Sequence, residues 1–352
     1  MRLYPTSTAL SLIAALFACT AAQSETPDAK PVHEPTRADA ADPMASFARM
    51  VGREWKMTAL AGTSTYDTWH WGPSKHSTRV MTDGSSSDLI PEPWRGLQVF
   101  YWHPGRKQVC TLGLSPYDRG VSEGTIQFDG ETADGVFDLY QTSGRRKMGL
   151  RWTFDGPDKY HDILLEETGP AGLEPVNGWD HFRSDGPPAP RATTTEKTPE
   201  PSAHPKVFGS LFGRMWESKG DRASGDSLHF QTTFEYVPYA DGIYVRVIAP
   251  TKEREPTHLL DAYLYHHTGM DKLRCLALSN RGGVHEGDVT VLDGGAVQLD
   301  LKGYEGDEVV PHVVRFDLES DGTLRSRVWS LAGSERTLLL DVHHKELATK
   351  KR

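Results

Sequence analysis

From residue 44 onward the chain is built of short runs in which apolar and polar residues alternate. Each run ends at a turn pair. Ile243–Ile248 is a β-branched run that follows Asp241-Gly242. Val289–Leu292 and Val297–Leu301 flank Asp293-Gly294-Gly295, a hairpin signature. Val314, Phe316 and Leu318 alternate with polar neighbours, and Asp321-Gly322 then leads into Leu324, Ser326 and Val328. Leu338–Val342 closes the series. Asp134-Gly135 and Asp155-Gly156-Pro157 punctuate the earlier residues in the same way. Strands at this spacing predict an all-β fold, an antiparallel up-and-down barrel or, as the alternative, a sandwich. A helical period occurs in two places. Met44, Phe47 and Met50-Val51 follow Asp42-Pro43, and Phe208, Leu211 and Phe212 follow His204-Pro205. Each run stops at a glycine, Gly52 or Gly213, so a short closing helix is expected ahead of each set of strands.

Those two starting points mark a duplication. Residues 44–183 and 206–347 have nearly equal length and align in order. Gly52-Arg53-Glu54-Trp55 matches Gly213-Arg214-Met215-Trp216, and Trp69 matches Phe234. Val99–His103 matches Ala262–His266, and Gly120–Gly124 matches Gly283–Gly287. Two matched barrels in tandem are therefore expected, the second over 206–347. Between them, 184–205 carries six prolines in 22 residues and reads as a semi-rigid linker.

The N-terminus adds an address. Arg2 precedes the apolar run Ala9–Ala18, too short to span a bilayer, so 1–22 reads as a secretory signal peptide. Leu16-Phe17-Ala18-Cys19 resembles the bacterial lipobox, which makes Cys19 a candidate lipid anchor; cleavage after Ala22 without lipid is the alternative. Residues 23–43 carry almost no large apolar side chain and read as a disordered tether, and 348–352 form a basic tail. The bacterial cell envelope, by lipid anchor, or secretion is the expected location, with no other membrane contact. Formal charge is −9, shared as −3 and −6 between the copies, and mean hydropathy is −0.52. A nucleic-acid partner is not expected without a basic face. Oligomeric state is left open.

The order helix, Gly-x-x-Trp, strand meander resembles the calycins, the group of lipocalins, fatty-acid-binding proteins and nitrobindin-like barrels. It also resembles secreted bacterial domains with a Gly-Val-x-Glu-Gly turn, here at 120–124 and 283–287. The resemblance implies up-and-down barrels in which Trp55 and Trp216 plug the floor. The spacing is one residue longer than the calycin Gly-x-Trp. By the same resemblance, a late-strand His such as His181 or His343-His344 would be the haem ligand of a nitrobindin-like barrel.

The candidate chemistry is sparse. No nucleophile elbow, P-loop or dinucleotide fingerprint is present. His103 and His266 fall at matched strand ends beside Tyr101, and Glu123 and Glu286 lie in matched turns. These could line a barrel mouth or lock turns. His266, His267, His285 and Glu286 make the second copy locally rich in metal-ligand types, at a spacing that matches no metal motif. No metal or other cofactor is expected. Seven of nine tryptophans lie in the first copy, as core filling or as the lining of a pocket. Cys110 and Cys275 are expected as buried free thiols. The residues expected at a ligand are Trp55, Tyr101, His103, Glu123, Trp216, His266, His285 and Glu286. The reading favoured is binding of a small hydrophobic or aromatic ligand without catalysis. The alternatives are an envelope enzyme using a His/Glu acid–base pair at the barrel mouth, a haem-binding nitrobindin-like protein, and a purely structural role for the repeats.

Overall fold

The computed structural model describes residues 42–58, 64–84, 94–115, 119–170, 172–184, 206, 208–221, 227–237, 242–251, 255–333 and 335–347. The signal segment with Cys19, the tether up to residue 41, nearly all of the linker and the basic tail lie outside the described residues.

Each copy closes into an antiparallel barrel of ten strands joined in simple up-and-down order. The first barrel runs β1 (Glu54–Thr58), β2 (Ser64–Trp71), β3 (Ser77–Gly84), β4 (Trp94–His103), β5 (Gln108–Leu114), β6 (Val121–Asp129), β7 (Thr132–Gln141), β8 (Gly144–Phe154), β9 (Lys159–Glu167) and β10 (Leu173–Arg183). The second runs β11 (Met215–Asp221), β12 (Ser227–Val237), β13 (Gly242–Ala249), β14 (Thr257–His267), β15 (Lys272–Ser279), β16 (Val284–Val291), β17 (Val297–Glu305), β18 (Glu308–Leu318), β19 (Leu324–Ala332) and β20 (Glu335–Leu347). Pairing of β1 with β10 and of β11 with β20 removes both open edges. The sandwich alternative is thereby excluded.

The expected closing helices are short 3-10 turns, Ala45–Arg49 and Gly209–Leu211. Each is tied down in the same way. Gly52 and Gly213 take φ of +77° and +68°, a conformation that glycine adopts without a Cβ clash. Their amides then donate to the carbonyls of Trp69 and Phe234, each at 3.1 Å, which fixes that pair as true equivalents. Trp55 and Trp216 are both 1% exposed and sit on the barrel floors. The Trp55 indole donates to the Met50 carbonyl at 3.2 Å, so the turn and the plug brace one another.

Alternation gives every strand two faces. In the first barrel Phe47, Trp69, Phe100, Trp152 and Tyr160 fill the lower interior. Trp69 stacks on Phe100 at 5.6 Å and meets Trp152 edge-on at 5.9 Å, so the first-copy tryptophans Trp55, Trp69 and Trp152 are core residues. The outward faces of β4, β5 and β6 are partly covered. Val99, Tyr101, Leu112, Leu114 and Val121 pack against Tyr263, Tyr265, Leu276, Leu278 and Val284 of the second barrel as one apolar cluster. Equivalent strands thus meet equivalent strands about a pseudo-two-fold axis, in the manner of an isologous dimer interface. We call this contact the seam.

Candidate functional site

The seam gathers most of the residues singled out from the sequence. Strand register corrects one of the matches. Tyr101 pairs with Cys110 and His103 with Gln108, while Tyr265 pairs with Arg274 and His267 with Lys272. The equivalent of His103 is therefore His267, one place beyond His266. The lost register is recovered before β16, because Leu112 faces Glu123 and Leu276 faces Glu286 across their ladders. His266 points to the other face of β14 and pairs with Asp271 at 3.0 Å. The same one-residue slip separates the thiols. Cys110 faces the seam and Cys275 faces the second core, and both are free and buried.

The histidine–glutamate pairs form between copies, on the barrel flanks and away from either mouth. His103 Nε2 lies 3.6 Å from Glu286, and His267 Nε2 lies 3.7 Å from Glu123. Both rings are fully buried. Each Nδ1 accepts a backbone N–H of its own turn, from Arg106 at 3.1 Å and from Met270 at 3.2 Å. That places the single proton on Nε2, aimed at the glutamate across the seam. Tyr304 covers His103 and Tyr140 covers His267, both at 4.6 Å between ring centres. Gly105 and Gly269 make room for these tyrosines, since a Cβ would lie 2.7 Å and 2.3 Å from the two rings. The tyrosines were not foreseen. The repeat Tyr-x-His at 101–103 and 265–267 was the available signal for the seam.

A chamber of about 60 Å³ sits between the two glutamates, with Tyr101, Tyr265, Arg106 and Arg274 in its wall. Tyr265 donates to Glu123 at 2.8 Å, and Arg106 donates to Glu286 at 2.5 Å. Burial pushes both carboxyls up. For Glu123 the contact with His267 and the Tyr265 hydrogen bond outweigh it, and for Glu286 the contact with His103 and the Arg106 charge do so, so both lie below the usual glutamate value. With each Nδ1 lone pair taken up by a backbone N–H and each Nε2 facing a glutamate across the seam, the histidines offer no free lone pair to act as a general base.

The barrel interiors differ. At the first mouth a cavity of about 300 Å³ is lined by Phe137, Leu139, Leu150 and Leu164, with Thr82, Gln98 and Ser122 as its polar points. At the equivalent place in the second barrel, His285 replaces Ser122 and Gly303 replaces Leu139, as their shared ladder positions show. His285 is fully buried, packs against His312 at 5.6 Å, and fills the space over Gly303. Burial pushes His285 down to about 3, aided by His312, and pushes His312 down to about 4. Among the described residues no group of three or more His, Cys, Asp or Glu side chains is arranged to hold a metal ion.

Deeper in the first barrel lies a group that the sequence did not reveal. His181 Nδ1 is 3.2 Å from Asp67 and its Nε2 is 3.8 Å from Asp162. Tyr160 stacks on the imidazole at 4.2 Å, and Thr82 donates to Asp67 at 2.7 Å. Burial opposes a charged His181, but the two aspartates outweigh it and raise the imidazole to about 9. The second barrel holds a neutral version. Thr232 takes the place of Asp67 opposite the floor tryptophan, and His344 the place of His181. Ser326 lies 2.6 Å from His344, where Asp162 faces His181. Burial, then His343, lowers His344 to about 4.

No family model and no curated protein matches the chain. A crystal structure from Nostoc punctiforme, of a DUF3598-family protein described as having unknown function, is similar over 87% of this chain and 99% of that one. The identity is 12% and the TM-score 0.22, too low for the likeness to bear on fold or function.

Proposed function

We propose that the chain is a lipocalin-like binding protein that takes a small, partly apolar ligand in the mouth of its first barrel. The supporting observation is the cavity itself. It has about 300 Å³, half-buried aliphatic and aromatic walls and a few polar points, within the range of small-molecule sites. The second barrel, filled by His285 and His312 at the same level, serves as a brace through the seam. In this reading the protein acts at the bacterial cell envelope, tethered by a lipid on Cys19, or is secreted; labelling with an alkyne fatty acid, lost in Cys19→Ala, distinguishes the two.

The test is titration of the full chain with the uncharged fluorophore N-phenyl-1-naphthylamine. Saturable enhancement is expected, weakened at least about tenfold by Leu139→Trp, which fills the cavity. Unchanged binding in a folded Leu139→Trp variant contradicts the proposal.

A further inference from the structure

The cavity of the first barrel lies one rung above the buried Asp67–His181–Asp162 group. Strand periodicity makes the connection. Asp162 and Leu164 are two residues apart on β9 and share the inward face, so the carboxylate lies one rung below a cavity wall. Thr82 belongs to both, since it lines the cavity and donates to Asp67.

Asp67 accepts from Thr82 at 2.7 Å and from Tyr160 at 3.5 Å, and it is Asp162 that is short of donors. Two carboxylates share one imidazolium, and no arginine or lysine pairs with either aspartate among the described ion pairs. Asp162 Oδ1 is buried and accepts no hydrogen bond from the described residues. A buried carboxylate oxygen without a partner is costly, so such an atom marks a place where a ligand donor would be favourable. The second barrel has none of this excess negative charge, because Thr232 and Ser326 stand at the aspartate positions.

We propose that the ligand of the first barrel is an amphiphile with a primary ammonium head, which donates to Asp162 while its apolar tail lies among Leu139, Leu150 and Leu164. This rests on the cavity reading above and adds the head-group chemistry to it. The ammonium supplies the missing positive charge and up to three donors. A carboxylate head would meet two aspartates, and a hydroxyl head would leave the charge uncompensated.

The experiment is calorimetric titration of the full chain with octylamine, octanol and octanoate, which share a tail and differ in the head. Octylamine is expected to bind at least about tenfold more tightly than the other two, the least that a charged hydrogen bond contributes. Asp162→Asn keeps the shape of the side chain, and is expected to lower octylamine affinity about tenfold while leaving octanol unchanged. Asp67→Asn, checked for folding by circular dichroism, is expected to lower octylamine affinity too. Octanol or octanoate binding as tightly as octylamine overturns the head-group proposal and leaves the cavity reading intact. Failure of all three to bind overturns both.

Discussion

The two barrels share strand number, order, floor tryptophan and glycine-tied entry turn, yet their interiors have opposite electrostatics. The first interior holds a buried histidine between two carboxyls, His181 with Asp67 and Asp162, under an open mouth. The second holds three histidines kept neutral by burial, His285, His312 and His344, and two of them occupy the level at which the first barrel is open. Closure by ten strands and a plugged floor suffices for the fold in either case. What lies above the floor is free to diverge. A copy that keeps a cavity and charge is suited to binding, and a copy that fills the same space is suited to bracing.

The largest expected effect separates the two interiors by stability. Asp67→Ala strips the charged partner from a buried imidazolium and should destabilise the first barrel by about 3–5 kcal/mol. Thr232→Ala, at the equivalent place, removes a methyl and a neutral hydroxyl that has no partner among the described residues, and should cost no more than about 1 kcal/mol. Urea unfolding of both variants checks this, and equal shifts would remove the distinction drawn here.

A smaller effect concerns pH. His181 has its folded value raised to about 9. Its contribution is complete below the unfolded value near 6.5 and is lost as pH rises through about 9. The second-barrel histidines have theirs lowered to about 3 and 4, so their contribution is present above about 6.5 and is lost as pH falls from there toward 4 and 3. Hydrogen exchange resolved by peptide, and corrected for the intrinsic rate, should show the first barrel loosening on the alkaline side and the second on the acid side. Both loosening on the same side would break the comparison.

Glu286→Gln and Glu123→Gln test the seam. Each leaves a shape-matched acceptor and removes the charge that faces His103 and Arg106, or His267 and Tyr265. Because Arg106 is 48% exposed, its share is screened, and about 1 kcal/mol is expected for either variant. Faster exchange of β4 and β14 amides, with the barrel floors unchanged, would be the signature. The smallest contrast is between the thiols. Burial raises both, and Cys275 is pushed up to about 12. Cys110 has Arg106 and Gln108 within sulfur hydrogen-bond distance and faces the seam. Alkylation near neutral pH, mapped by mass spectrometry, should therefore label Cys110 before Cys275.

The barrels were legible because their signals are local. Turn pairs such as Asp293-Gly294-Gly295, the alternating runs and the repeated Gly-x-x-Trp each occupy a few consecutive residues. The seam was half legible. Tyr101, His103, Glu123 and Glu286 stood out, but alternation reveals two faces and not which one another domain covers. The frame near His266 was misread by one place, since only the ladder shows that His267 ends the equivalent strand. Tyr140 and Tyr304, which cap the seam histidines, carry no motif. The Asp67–Asp162–His181 group was not legible as a site. Its members come from β2, β9 and β10, and only closure of the barrel brings them together.

Ligand stoichiometry tests the central contrast most directly. Calorimetric titration of the full chain with octylamine should give one site per chain. That site should vanish in Ser122→His with Leu139→Gly, which gives the first mouth the residues of the second, and survive in His285→Ser. Two equal sites, or binding that persists when the first mouth is filled and is lost in His285→Ser, would contradict the account.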